Sequence, residues 1–263
     1  MNKNFDNDSQ DFHKHMEVLF FGRANCEDSF KALNHLIRLG FRVISIFSKG
    51  HGESFPEKIS SWSGDYIFCF RSMFILPKSL INQAKIAAIN FHPGPPEYPG
   101  SGCLNFALHE KSNIYGVTSH LMTEQVDDGI IIECRRFSIH QTDTVSSLLE
   151  RTHIKLLDLF FDVASGVALK GRSYLDQSIN GSIHEKWSGI KRKIKDLDAL
   201  SVVDMNISES ELVKLIKATY TVNFPPKVVL HGYEFLLKSD EKSLIKLAEY
   251  EKCSNEYPPR KTF

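Results

Sequence analysis

The chain has 263 residues, and Lys plus Arg equals Asp plus Glu at 32 each. A balanced charge gives no long-range attraction for a polyanion or an anionic membrane, which makes nucleic acid an unlikely partner. The five cysteines are odd in number and scattered, without the paired spacing of a zinc frame or disulfide scaffold, so they read as reduced thiols of a cytoplasmic protein. The apolar run from Val18 to Gly22 is far too short for a signal segment or a membrane span.

Residues 1–16 are polar and aperiodic and read as a tail. Glu17 to Phe21 is a short apolar strand ended by Gly22. From Cys26 to Leu39 the apolar positions Phe30, Leu33, Leu36 and Ile37 recur at helical spacing, with Gly40 as the stop. Phe41 to Phe47 is the next strand, so the chain opens as strand, helix, strand, the unit of a parallel sheet. The turn at Gly22 to Asn25 lacks the glycine fingerprint of a dinucleotide site. Asp65 to Phe70 is a third strand. After it, Met73, Phe74, Ile75 and Leu76 place apolar side chains in a turn, where they either cover the core or line a pocket for a flat ring system.

Lys78 to Ala84 fits a short helix, and Ala87 to Phe91 a strand. At the end of that strand Asn90 and His92 stand two apart and therefore project to one face. Prolines at 93, 95, 96 and 99 follow and stiffen the next stretch. In an open parallel sheet, ligands bind beyond the carboxyl ends of the strands, where this pair falls. A helix over Ser101 to Leu108 is followed by strands at Gly116 to Met122 and Ile130 to Phe137. The acidic turn from Thr123 to Gly129 joins those two strands. A long apolar face from Val145 to Ala164 makes a helix ending near Gly166, and this closes a main domain over residues 17–166.

Residues 167–263 make a smaller unit. Lys170 to Asn180 reads as a strand or an arm. His184 to Lys195 is the one basic cluster, able to meet phosphates but more commonly a solvated face. Ser208 and Glu211 form a capping box for a helix through Thr219. Lys227 to Leu230 and Tyr233 to Lys238 form a hairpin.

The stretch Asn90 to Gly100 together with Gly116 to Gly129 resembles the folate-dependent formyltransferases. Their pattern is an Asn-x-His before a proline-containing loop, then a Gly-Val-Thr strand and an Asp in a loop closed by Gly. The resemblance covers roughly residues 17–165. It implies a Rossmann-like α/β domain with a mostly parallel sheet, to which residues 167–263 add a small C-terminal α+β extension. It also implies an N-formyltransferase that takes 10-formyltetrahydrofolate as donor and needs no metal. Asn90, His92 and Asp127 fall on the family's catalytic positions. The turn of Met73, Phe74, Ile75 and Leu76 resembles the folate loop, with Thr123 and Val126 on the opposite wall.

The Pro93-Gly94-Pro95-Pro96 run replaces the family's common Ser-Leu-Leu-Pro and reshapes the acceptor side, where Tyr98, Gly100 and Asn105 are expected. Among possible acceptors, tRNA calls for a basic surface that this chain lacks, and a glycinamide ribonucleotide calls for a glycine-rich first turn. What remains resembles the branch that formylates nucleotide-linked 4-amino-4,6-dideoxyhexoses for bacterial surface polysaccharide such as O-antigen. The expected substrate is therefore a nucleotide sugar, of the TDP-4-amino-4,6-dideoxyglucose type, and the expected assembly a homodimer. Methionyl-tRNA formylation, or a non-catalytic module that binds folate or sugar nucleotide, are the alternatives.

Overall fold

The computed structural model describes residues 16–50, 52–221 and 224–238. Strand β1 (Glu17–Arg23) has five consecutive buried residues, the pattern of a strand covered on both faces. Helix α1 (Glu27–Arg38) begins with Glu27 and Asp28 and ends with His35 and Arg38, charges that complement its dipole. Strands β2 (Arg42–Ser48) and β3 (Gly64–Phe70) follow, then a single turn of helix, α2 (Lys78–Ile81). Strand β4 (Ala84–His92) is longer than the sequence suggests and takes up Ala84, which had read as helix. Helix α3 (Cys103–His109), strands β5 (Ile114–Leu121) and β6 (Ile131–Ser138), and helix α4 (Val145–Lys170) complete the main elements.

The sheet runs in the order β2-β1-β3-β4-β5-β6. The pairs β1/β2, β1/β3 and β3/β4 are parallel, while β4/β5 is antiparallel. This is the mostly parallel α/β sheet that the opening strand-helix-strand pattern implies. Its core is aromatic: Phe20, Phe68, Phe70 and Phe91 surround Phe160 of α4 with ring centroids 4.8 to 6.1 Å from it. Such pairs add about 0.5–1.5 kcal/mol each beyond the area they bury.

Lys170 to Asn180 is a helix and not an arm. Gly171 stops α4 at φ +55°, and α5 (Arg172–Gly181) starts at once. Only Leu175 of α5 is buried, so its sequence carries almost no apolar period, and its surface pair Arg172 with Asp176 at 2.9 Å shows the helical spacing instead. The short helix α6 (Ile194–Leu200) lies in the basic cluster. Helix α7 (Glu209–Thr219) carries the expected capping box, with Ser208 Oγ accepting from Glu211 N. Strands β7 (Lys227–Leu230) and β8 (Tyr233–Leu236) pair as the expected hairpin.

The described residues form two compact units. The first comprises residues 16–99, 116–136 and 152–191, and the second 100–115, 137–151 and 192–238. Among the described residues no helix is long and apolar enough to cross a membrane.

Candidate active site

The antiparallel register of β4 and β5 sets Asn90 opposite His120 and His92 opposite Thr118. Directly opposed residues share a face, so β4 and β5 together present Asn90, His92 and His120 at one sheet end. The loop between β5 and β6 brings Asp127 to the same place. All of these groups lie in the first unit. His92, His120 and Asp127 are 2–3% exposed, so they act in a medium that strengthens each polar contact.

The contacts fix where several protons are. His92 Nε2 lies 2.9 Å from the carbonyl oxygen of Tyr98, which can only accept, so this nitrogen carries a hydrogen and donates it. His92 Nδ1 then faces Asp127 Oδ2 at 3.2 Å. A lone pair against a carboxylate would be repulsive, so a proton lies between them. His120 Nδ1 donates to Leu121 O at 2.9 Å. Its Nε2 accepts from the Asn90 amide at 3.0 Å and lies 3.4 Å from Asp127 Oδ1. Asp127 thus lies between two imidazoles and hydrogen-bonds to that of His92, and each ring is anchored to a backbone carbonyl by its other nitrogen.

Asp127 sits at φ +47°, a left-handed conformation that Asp tolerates better than most residues but at some cost. Gly129 makes the loop possible. A Cβ there would lie 1.7 Å from Leu121 O. The proline loop is built from acceptors: Thr118 Oγ1 donates to Gly94 O at 2.8 Å, Tyr98 N to Pro95 O at 2.9 Å and Ser188 N to Pro96 O at 2.9 Å. Prolines remove donors from this loop, and its carbonyls are taken up by neighbours.

The apolar turn divides in two. Phe74 and Leu76 are buried in the core cluster with Leu19, Phe21 and Ile67, while Ile75 is 74% exposed. Met73 N donates to Ser48 Oγ at 2.9 Å. Val126, on the acidic loop, is 51% exposed, and Thr123 Oγ1 donates to Gln125 O at 3.0 Å in the same loop. Lys78 and Glu124, 2.9 Å apart, tie the end of the apolar turn to this loop. Ile75 and Val126 are thus exposed apolar side chains, one on each of the two loops joined by this pair.

Of the residues expected on the acceptor side, Tyr98 supplies the carbonyl that orients His92. Gly100 and Asn105 belong to the second unit. Gly100, at φ +91°, pairs with Arg192 in an isolated bridge. The Asn105 amide is buried and donates to Ala218 O at 2.8 Å, which ties α3 to α7. Among the described residues no His, Cys, Asp or Glu trio is arranged to hold a metal ion.

Sequence reasoning passes over two members of this cluster. His120 was legible, because it lies two residues after Thr118 on β5 and so shares its face. Trp187 was not: its Nε1 donates to Gly129 O at 2.8 Å across 58 residues of chain, and no local pattern marks it. Two members of the basic cluster are ion-paired. Lys191 pairs with Asp128 at 3.0 Å in the first unit, and Arg192 with Glu110 in the second.

A mostly parallel sheet ending in an Asn-x-His pair, with an Asp delivered by a neighbouring loop, is a Rossmann-like α/β arrangement. Residues 48–163, a stretch that includes Asn90, His92 and Asp127, match the family model described as Formyl transferase. A GDP-perosamine N-formyltransferase of Brucella melitensis biotype 1 is 26% identical over 180 residues, which are 68% of this chain and 66% of that protein. The chain thus matches just under two thirds of the length of this curated relative. The fold is shared with a sugar N-formyltransferase from a Shewanella species, at a TM-score of 0.63 and 20% identity, covering 86% of this chain and 97% of the other. It is also shared with an N-formyltransferase from Helicobacter canadensis solved with folinic acid and dTDP-3-aminofucose, at a TM-score of 0.59 and 16% identity, covering 83% and 86%.

Proposed function

We propose that the protein transfers the formyl group of 10-formyltetrahydrofolate to the amine of a nucleotide-linked amino-dideoxy sugar, of the TDP-4-amino-4,6-dideoxyglucose type. The single observation that carries this reading is Asp127 hydrogen-bonded to His92, with His120 and the Asn90 amide beside them. When the amine nitrogen bonds to the formyl carbon, the carbonyl oxygen takes up negative charge that needs donors already in place. The Asn90 amide has one hydrogen on His120 and a second to offer. His92 shares a proton with Asp127 and so can give one to the oxyanion or to the leaving nitrogen of the donor, and Asp127 keeps that proton within reach. The proton lost by the amine replaces it as the bond from carbon to the folate nitrogen breaks. The products are a formamide and tetrahydrofolate.

Donor and acceptor are supported separately. Ile75 and Val126 offer apolar cover for the pterin ring, on loops joined by Lys78 and Glu124. The Helicobacter protein with this fold was solved with a reduced folate and a dTDP-amino sugar, and the Brucella relative is named for a GDP-linked amino sugar. The test is incubation with 10-formyltetrahydrofolate and a panel of TDP-, UDP- and GDP-linked amino sugars, reading free tetrahydrofolate. Release with a TDP-linked 4-amino sugar is expected. Release only with charged initiator tRNA, or with no acceptor, would overturn the assignment.

A further inference from the structure

Residues 182–191, which follow α5, have no regular structure, yet five of the ten are tied to other segments of the first unit. Ser182 Oγ donates to Ile132 O at 2.9 Å. Glu185 pairs with Arg136, which also binds Glu97 of the proline loop at 2.8 Å. Trp187 Nε1 donates to Gly129 O, Ser188 N to Pro96 O, and Lys191 reaches both Asp128 and Gln125. Irregular surface segments are ordinarily the most mobile parts of a fold. The partners of this one belong to β6 and to the two loops that frame the cluster: the proline loop after His92 and the acidic loop that carries Asp127.

Trp187 is the residue of this strap that touches the cluster itself. Its ring meets His120 with centroids 5.1 Å apart at 85°, and His92 at 5.8 Å and 73°. At the same time its indole N–H holds the carbonyl of Gly129, two residues beyond Asp127. One half-buried side chain therefore contacts both imidazoles and the loop that delivers the carboxylate between them.

We propose that Trp187 is a positioning residue for formyl transfer, which locks the two histidine rings and the Asp127 loop in register, and that residues 182–191 are the strap that holds it there. The residue lies outside the matched domain of 48–163, so the chain completes its own site with a segment beyond it. Without the indole, the rings of His92 and His120 gain freedom to rotate and the strained loop loses one of its anchors. Misplacement of a catalytic group by about 1 Å can cost about a hundredfold in rate.

The proposal rests on the formyl-transfer reading for its kinetic arm alone. In that arm Trp187→Ala is expected to lower kcat by about tenfold to a hundredfold with little change in either KM, and Trp187→Phe, which keeps an aromatic ring, to recover most of the loss. The second arm needs no substrate. Nitrogen-15 histidine spectra of the full-length protein should show His120 as its Nδ1–H tautomer, and His92 with hydrogens on Nε2 and between Nδ1 and Asp127. Those two signals should collapse toward freely exchanging imidazole in Trp187→Ala and stay in place in Trp187→Phe. If the alanine variant does not fold, Trp187→Leu serves in its place. Unchanged histidine signals and unchanged kcat in the folded variant would overturn the proposal. Absence of turnover with every acceptor would refute the formyl-transfer reading and leave the spectra to decide the role of Trp187.

Discussion

His92 Nδ1 and Asp127 Oδ2 stand 3.2 Å apart in a site from which solvent is nearly excluded, while the opposite ring nitrogen of His92 already donates to Tyr98 O. The proton between them is therefore imposed by the geometry. Replacing Asp127 by Asn keeps the shape but offers an N–H where the shared proton was, which fixes His92 as a neutral acceptor. Proton transfer by a positioned group contributes about a hundredfold to ten-thousandfold. Asp127→Asn should lose activity on that scale, measured as kcat, while circular dichroism and the melting temperature show a folded protein.

Asn90 and His120 form the other side of the cluster. On the proposed mechanism Asn90→Ala removes the oxyanion donor and should lower kcat by about a hundredfold or more. His120→Ala leaves the Asn90 amide without its acceptor but keeps the donor itself, so a smaller loss, roughly tenfold, is expected. Steady-state kinetics on the two variants checks the order, and a larger loss from His120→Ala would reverse the roles assigned here.

Two adjacent residues of the apolar turn divide between core and surface. Leu76 is 3% exposed and Ile75 is 74% exposed. Leu76→Asp buries a charge among apolar neighbours and should cost more than about 3 kcal/mol of stability. Ile75→Asp should leave the melting temperature nearly unchanged and weaken folate binding by roughly tenfold, since 1.4 kcal/mol of lost apolar contact is about that factor. Calorimetric titration with folinic acid, alongside thermal melts, distinguishes the two.

Gly129 has no room for a side chain. Gly129→Ala drives a methyl into Leu121 O, and the strained loop cannot yield without moving Asp127. A cost of about 3 kcal/mol, the upper end for an added methyl in a packed site, corresponds to a fall of roughly 10 °C in melting temperature. Activity should fall further than stability alone explains, and differential scanning calorimetry with kinetics below the melting range tests this.

His153 on α4 is pushed down to about 4, by burial first and then by the charges of Arg71 and Arg23, against the opposing pull of Asp28. Because its folded value lies below the ordinary 6.5, the unfolded chain takes up the proton first as pH falls. Its contribution to stability is thus intact above about pH 6.5 and is lost progressively between about 6.5 and 4. His153→Gln should flatten the fall of melting temperature across that window, and an unchanged pH profile would contradict the assignment.

Much of this site is legible in the chain because its parts are local. Asn90 and His92 share a face through the two-residue period of a strand, and Gly129 closes the loop after Asp127 where a glycine is sterically required. The helix over Arg172 to Gly181 was hidden because it buries little more than Leu175, and periodicity reports burial and not helicity. Leu76 and Ile75 look alike as letters. Their opposite fates are set by the core cluster around Phe21 and Ile67, which comes from other strands. Trp187 was out of reach for the same reason, since its hydrogen-bond partner lies 58 residues away.

The central claim is that the cluster around Asp127 transfers a formyl group to an amine. It is tested most directly by a single-turnover reaction with 10-formyltetrahydrofolate and a TDP-linked 4-amino-4,6-dideoxy sugar, quenched and read by mass spectrometry, for the native protein and for His92→Ala. The account predicts one formamide per tetrahydrofolate released by the native protein and almost none by the variant. Equal product from His92→Ala, or tetrahydrofolate appearing with free formate in place of the formamide, would contradict it.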